Sequence, residues 1–197
     1  MNLKTKDIVQ VALFAALTAV GAFITIPFPF VPFTLQSFFT AFAGVLLGAK
    51  LGMLSQLVYV VVGLVGVPVF TKGGGPGYIF ETSFGYLIGF IVGAYVIGKL
   101  SERVTKMTVQ KLFLIIMTGI LVVYMIGVPY LYMIMRLYIK SDVAISWAVR
   151  VGFTTTIGGD IVKSIIVAFI GFKIVPILSR QNLISRRGFH ELRIHNK

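Results

Sequence analysis

Cysteine is absent from the chain. That excludes a disulfide framework, thiolate metal ligands and thiol catalysis. Acid is scarce: 197 residues carry six Asp and Glu, with two His. Both histidines, His190 and His195, fall in the polar C-terminal stretch, so no metal-ligand cluster and no Ser–His–acid set is expected within the apolar runs. A phosphate-binding loop is missing too. The glycine-rich "TKGGGPG" lacks the trailing Gly-Lys-Ser/Thr that would cradle a nucleotide, so any use of ATP needs other subunits. Little remains to support catalysis, and the expectation is that the chain is not an enzyme, with no metal and no cofactor.

What is there is apolar. Hydrophobic residues make up 57% of the sequence and charged ones 12%, about half of what a soluble domain carries. Several uncharged runs approach or exceed the roughly 20 residues that cross a bilayer. The N-terminal run from Ile8 to Ile26 follows Lys4 and Lys6 like a signal sequence, but at 19 residues it outlasts a signal core of 7–15. It reads as an uncleaved first helix.

The pattern predicts an all-α integral membrane protein, a single membrane domain over 1–197 with six crossings. They are expected at about 8–26, 36–47, 52–65, 82–100, 112–135 and 158–178, with a basic cytoplasmic tail at 179–197. Pro27, Pro29 and Pro32 make "PFPFVPF" extended, because proline lacks an amide donor and restricts its predecessor. Gly73, Gly74, Gly75 and Pro76 keep the next connection non-helical. Pro129 is expected to kink the fifth helix. "VAISWAVRVGFTTT" reads as a separate interfacial piece, with Trp147 at headgroup level.

The formal charge of +12 would suggest nucleic acid in a soluble protein, but here the basic residues sit in short segments between apolar runs. With both termini cytoplasmic, 13 Lys and Arg lie inside and four (Lys72, Arg136, Lys140 and Arg150) outside. That is the positive-inside bias. The proline segment, the glycine loop and the start of the sixth helix then share the outer face.

At that start stand Asp160 and Lys163, expected in the first turn and one turn deeper. Residues at i and i+3 share a helix face, and a first-turn carboxylate complements the helix dipole. Ionisable groups cost about 2.5–3.5 kcal/mol each at membrane depth, so they face a cavity or each other. Two readings stay open from the residues: a self-neutralising structural pair, or a polar ligand site whose carboxylate accepts N–H groups and whose ammonium donates. Irregular backbone on the same side favours a cavity. Glu81 is expected to open the fourth helix. Tyr86 and Gln36 lie near outer helix ends and serve equally as packing or ligand contacts. On the first helix, Ala12, Ala15, Ala16, Ala19 and Ala22 fall within about 120° of arc at about 100° per residue. Such a small-residue stripe suits close docking, within the bundle or against a partner.

In order along the chain, "VPFTLQSFFTAFAGVLLGAKLG", "GLVGVPVFTKGGGPG", "FGYLIGF" and "GGDIVKS" resemble the BioY family, the biotin-specific substrate-binding subunits (S components) of energy-coupling factor (ECF) transporters. The resemblance spans Ile8 to Leu178. It implies a six-helix bundle of the ECF S-component type that binds biotin at its outer face. It also implies a transmembrane coupling subunit and two ATPase subunits as partners. By resemblance, Asp160 and Lys163 contact the ureido ring, Tyr86 and Gln36 line the site, and Gly73, Gly74 and Gly75 cover it as a gate. Lys72 is the candidate to neutralise the valerate carboxylate, and Ala12, Ala15, Ala16 and Ala19 face the coupling subunit. "ETSFGY" stands where the family often has "GPTGGY". Outside this reading stand an S component for thiamine or riboflavin, and a membrane scaffold or enzyme subunit whose charged pair only fixes packing.

The charge asymmetry makes a direct prediction. A single cysteine introduced into the glycine loop will react with an impermeant thiol reagent added outside intact cells. Labelling only from the cytoplasmic side would invert the topology.

Overall fold

Hydrophobic periodicity and the proline and glycine breaks produce a helical bundle, seen here in a computed structural model that describes residues 3–104, 106–181 and 184. The basic tail, including His190, Glu191 and His195, lies outside the described residues apart from its first few positions and Ile184. Helix α1 covers Thr5–Phe23 and is closed at its start by a bond from the Lys4 amide to Asp7 (3.0 Å). A two-residue hairpin follows, β1 at Thr25–Ile26 and β2 at Phe33–Thr34, with Thr25 opposite Thr34. The three prolines between them cannot donate to a ladder, which keeps the strands this short.

Helix α2 covers Gln36–Leu47 and α3 covers Ala49–Leu64, with Gly48 (φ +90°) between them in a backbone conformation that side-chain-bearing residues rarely adopt. A long connection containing a 3₁₀ turn at Pro76–Phe80 leads to α4, Phe84–Arg103. Helix α5 is Val109–Met133, holds Pro129 in its interior, and runs on into a π-helical turn at Ile134–Tyr138. The short α6, Ile145–Val149, passes through a second π-helical turn, Arg150–Thr154, into α7, Thr155–Arg180.

The all-α architecture of six principal helices, α1–α5 and α7, is the one the sequence implies. Four described helical runs are long and apolar enough to cross a membrane. Helices α2 and α3 are shorter, 12 and 16 residues. At 1.5 Å per residue they reach about 18 and 24 Å, short of a hydrocarbon core of about 30 Å. The hairpin and the 65–83 connection make up the difference, so one end of the bundle, hereafter the loop end, is built from irregular backbone.

Two local expectations are corrected. The stretch from Ile145 is not a separate interfacial piece: the helix is continuous over Ile145–Arg180, because the π turn absorbs Gly152 without breaking the chain direction. Asp160 therefore lies well inside a helix, and the first-turn dipole argument does not apply to it. Trp147 is half-buried, edge-on to Phe30 with ring centroids 4.9 Å apart. Likewise Glu81 does not open α4. It follows the 3₁₀ turn and pairs with Lys72 at 2.8 Å.

Two kinds of contact hold the helices together. Thr18 on α1, Thr40 on α2 and Gln56 on α3 form a buried hydrogen-bonded cluster (Thr40 Oγ1 to Gln56 Oε1 3.0 Å, Gln56 Nε2 to Thr18 Oγ1 3.2 Å). Small residues let α4 and α5 approach closely: a Cβ added at Gly89 would lie 2.9 Å from both Cα and the carbonyl oxygen of Val123. On α1 the alanine stripe divides. Ala15 and Ala22 are buried in the bundle, Ala12 and Ala16 are exposed, and Ala19 is intermediate. In the glycine loop a Cβ at Gly74 would collide with the Val67 carbonyl, whereas at Gly77 it meets nothing within 4 Å. Gly77 is thus the place for a reporter cysteine.

Because backbone rather than a movable side chain blocks Gly89, Gly89→Val will destabilise the detergent-solubilised protein by about 1–3 kcal/mol or more. Thermal unfolding checks this, and an unchanged melting temperature would mean that α4 and α5 do not pack as described.

Candidate ligand-binding site

Near the loop end, α2, α4, α5 and α7 enclose a cavity capped by β2 and by Thr71 and Tyr78 of the 65–83 connection. Its wall is apolar along Leu87, Phe90, Ile120 and Val123, and polar where α2, α5 and α7 converge. Asp160 and Lys163 form a buried ion pair there, Nζ to Oδ1 2.5 Å. The i, i+3 spacing puts both on the inward face of α7, as the sequence requires.

The pair reaches three other elements. Ser37 at the start of α2 donates to Asp160 Oδ1 (2.8 Å) and accepts from Lys163 Nζ (2.6 Å). Lys163 donates to the Thr34 carbonyl of β2 (2.9 Å) and lies 4.1 Å from the centroid of the Phe33 ring. Tyr124 of α5 donates to Asp160 Oδ2, and its hydroxyl also shares a hydrogen with Thr156 (2.9 Å). Lys163 thereby uses all three of its donors. Asp160 accepts three bonds, which leaves its carboxylate capacity for about one more. The pair is satisfied within the chain, an arrangement compatible with both a structural and a ligand-reading role.

The other sequence candidates fall around this centre. Gln36 is buried and lines the cavity. It donates from Nε2 to the Tyr59 hydroxyl (2.6 Å), and Thr34 donates to its Oε1 (2.9 Å). Tyr86 lines the cavity with its ring, edge-on to Tyr124, and its hydroxyl donates to the Gly152 carbonyl (2.9 Å). Gly73, Gly74 and Gly75 do not line the wall. They form a tight turn behind Thr71: Phe70 and Gly73 exchange backbone bonds of 2.8 and 3.1 Å, and the Gly75 amide binds the Gly63 carbonyl at 2.7 Å. Gly73 and Gly75 have φ of +108° and +104°, which explains the glycine run. Lys72 is engaged by Glu81 at the rim, away from the buried pair.

Ser37, Tyr124 and Thr156 were not singled out from the sequence. Hydroxyl side chains are common in apolar helices, and Ser37 lies 123 positions from its partner Asp160. The one usable cue was that a buried carboxylate must find donors. The cavity is about 50 Å³.

Comparison with known proteins gives the chain's relatives and the likeness of its fold. The sequence profile of the BioY family matches residues 1–180. The chain is 44% identical over 173 residues to the probable biotin transporter BioY of Lysinibacillus sphaericus, covering 88% of each chain. It is 36% identical over 171 residues to the biotin transporter BioY of Thermotoga maritima, covering 86% of this chain and 95% of that one. The crystal structure of the S-component for biotin from an ECF-type ABC transporter superposes with a TM-score of 0.76 at 23% identity, covering 94% of this chain and 97% of the other.

Proposed function

Because the chain belongs to the BioY family, we propose that it is the biotin-capturing subunit of an ECF-type vitamin uptake transporter. The protein is a membrane transport protein and not an enzyme. Biotin binds in the cavity at the loop end, and the coupling module, a transmembrane subunit with two ATPase subunits, drives its delivery across the membrane. ATP is used by those partners alone, and the chain itself needs no cofactor. In this reading both termini face the cytoplasm and the loop end faces outward, supported by the bias of Lys and Arg toward one side.

One observation carries the reading: the buried Asp160–Lys163 pair opens onto a cavity whose remaining wall is largely apolar. The ureido ring of biotin has two N–H donors and one carbonyl, which complement a carboxylate and an ammonium on one helix face. The thiophane ring and methylene tail suit Leu87, Phe90, Ile120 and Val123. Tyr86 and Gln36 shape the pocket, and the turn at Gly73, Gly74 and Gly75 positions Thr71 over it. Biotin is larger than the cavity, so capture requires this covering loop to lift and close again.

Asp160→Asn will therefore weaken biotin binding while the protein still folds, because an amide presents one acceptor oxygen and two donors. Hydrogen bonds to a charged group contribute about 1.5–3 kcal/mol, so the loss is roughly 10- to 150-fold. Lys163→Met will also weaken binding. Titration of biotin into purified variants, with the folded fraction measured separately, tests this. Wild-type affinity in folded Asp160→Asn would remove Asp160 from the site and leave a purely structural pair.

The exposed edge of the α1 stripe, Ala12 and Ala16 with Ala19 beside them, is the surface for the coupling subunit. Ala15 is buried and serves the bundle's own packing. Bulky residues at Ala12 and Ala16 will block co-purification with the coupling subunit while biotin binding persists, since only small side chains permit close helix approach. Normal assembly of both variants would assign the stripe to lipid.

A further inference from the structure

Buried hydroxyls in this bundle have partners. Ser55 donates to the Gly52 carbonyl, Ser101 to Gly98, Ser164 to Asp160 and Thr82 to Phe30. Ser83 stands apart: among the described residues, its Oγ is the buried side-chain polar atom without a hydrogen-bond partner. Its position makes this more telling. Ser83 is the N-cap residue of α4, where a serine hydroxyl ordinarily accepts an amide of the first turn. Here φ is −88° and ψ −7°, no such bond forms, and the backbone carbonyl of Ser83 takes the Tyr86 amide instead (3.1 Å). The hydroxyl is released from its own helix, and Ser83 lines the cavity. Leaving a buried hydroxyl unpaired is unfavourable, and such groups in folded proteins call for an explanation.

Its place relative to the ion pair suggests one. Gly89 of α4 packs against Val123, the neighbour of the Tyr124 that binds Asp160. Ser83 lies six residues nearer the loop end, about 9 Å along the axis at 1.5 Å per residue. Between the two levels the wall of α4 is Tyr86, whose hydroxyl is taken by the Gly152 carbonyl, and Leu87, with Phe90 just beyond. The cavity wall therefore has a polar pole at Asp160–Lys163, the Tyr86 ring and Leu87 beside it on α4, and a buried, unpaired hydroxyl toward the loop end. That donor stands at the N-terminus of a 20-residue helix, where the dipole favours negative charge. The nearby Lys72 is paired with Glu81 in a partly exposed salt bridge.

We propose that Ser83 is a ligand-contacting residue that determines specificity: its hydroxyl donates to the carboxylate at the end of the ligand's acyl tail, while the ring system occupies the Asp160–Lys163 pole. This rests on the biotin reading above and adds the residue that reads the tail.

The test compares biotin with an analogue that keeps both rings but ends its tail in a methyl group, on the purified protein. Ser83→Ala will lower biotin affinity about tenfold or more and leave affinity for the analogue unchanged, and Ser83→Thr will retain biotin affinity. Without biotin, Ser83→Ala will melt no lower than wild type, since it removes an unpaired hydroxyl. Equal biotin affinity in Ser83→Ala, or an equal fall for biotin and the analogue, overturns the assignment. A lower melting temperature for Ser83→Ala without biotin also overturns it, by pointing to a structural bond. If the wild type binds no biotin at all, the biotin reading fails and this one with it. If the wild type binds and Ser83→Ala is unaffected, only Ser83 is lost.

Discussion

The bundle is organised around one buried ion pair. Asp160 and Lys163 stand three residues apart on α7, and between them they bond α2 through Ser37, β2 through the Thr34 carbonyl, and α5 through Tyr124. A charged pair in a low-dielectric interior persists only when its remaining donors and acceptors are met. That requirement dictates the surroundings: irregular backbone must come near enough to offer a carbonyl, and helices must present hydroxyls at the same depth. The hairpin and the late start of α2 at Gln36 supply these groups, through the Thr34 carbonyl and Ser37. Full-length helices would satisfy their own backbone groups and leave Lys163 without the Thr34 carbonyl.

Much of this was legible in the sequence, for physical reasons specific to each residue. Asp160 and Lys163 stood out because ionisable groups in an apolar run are expensive. The prolines at 27, 29 and 32 and the glycines at 73–75 announced non-helical backbone in the segments where it occurs. Helix α2 spans Gln36–Leu47 between the proline segment and Gly48, where local signals are strong. The extension of α7 back to Ile145 was hidden because the signal used to end it, a cluster of threonines and glycines, is also compatible with a widened helical turn. Ser37, Tyr124 and Thr156 were hidden for a different reason. A hydroxyl in a membrane helix carries no pattern of its own, and its role is set by a partner more than thirty positions away. The alanine stripe was visible as an arc, but which edge faced inward depended on the packing of α1 against α2 and α3.

The rim of the cavity has a character of its own. Lys72 and Glu81 join the two halves of the 65–83 connection, Thr71 and Tyr78 share a hydrogen bond of 2.9 Å, and Thr82 ties the connection to the Phe30 carbonyl. These are individually modest, partly exposed bonds, unlike the buried network below. Beneath them the connection is anchored by the fully buried Phe70, packed against Tyr59 and Tyr78, and by the Gly75 amide on the Gly63 carbonyl, so the weak bonds hold only its exposed edge.

The π turn at Arg150–Thr154 has a geometric consequence. It inserts one residue beyond the normal helical period, so the side chains of α6 are rotated by about 100° relative to where an unbroken α-helix would put them. In that shifted phase Trp147 meets Phe30 of the hairpin, and Gly152 within the turn offers its carbonyl to Tyr86. The turn acts as a gear with one tooth added. It lets a single rod present one azimuth to the charged pair and another to the hairpin.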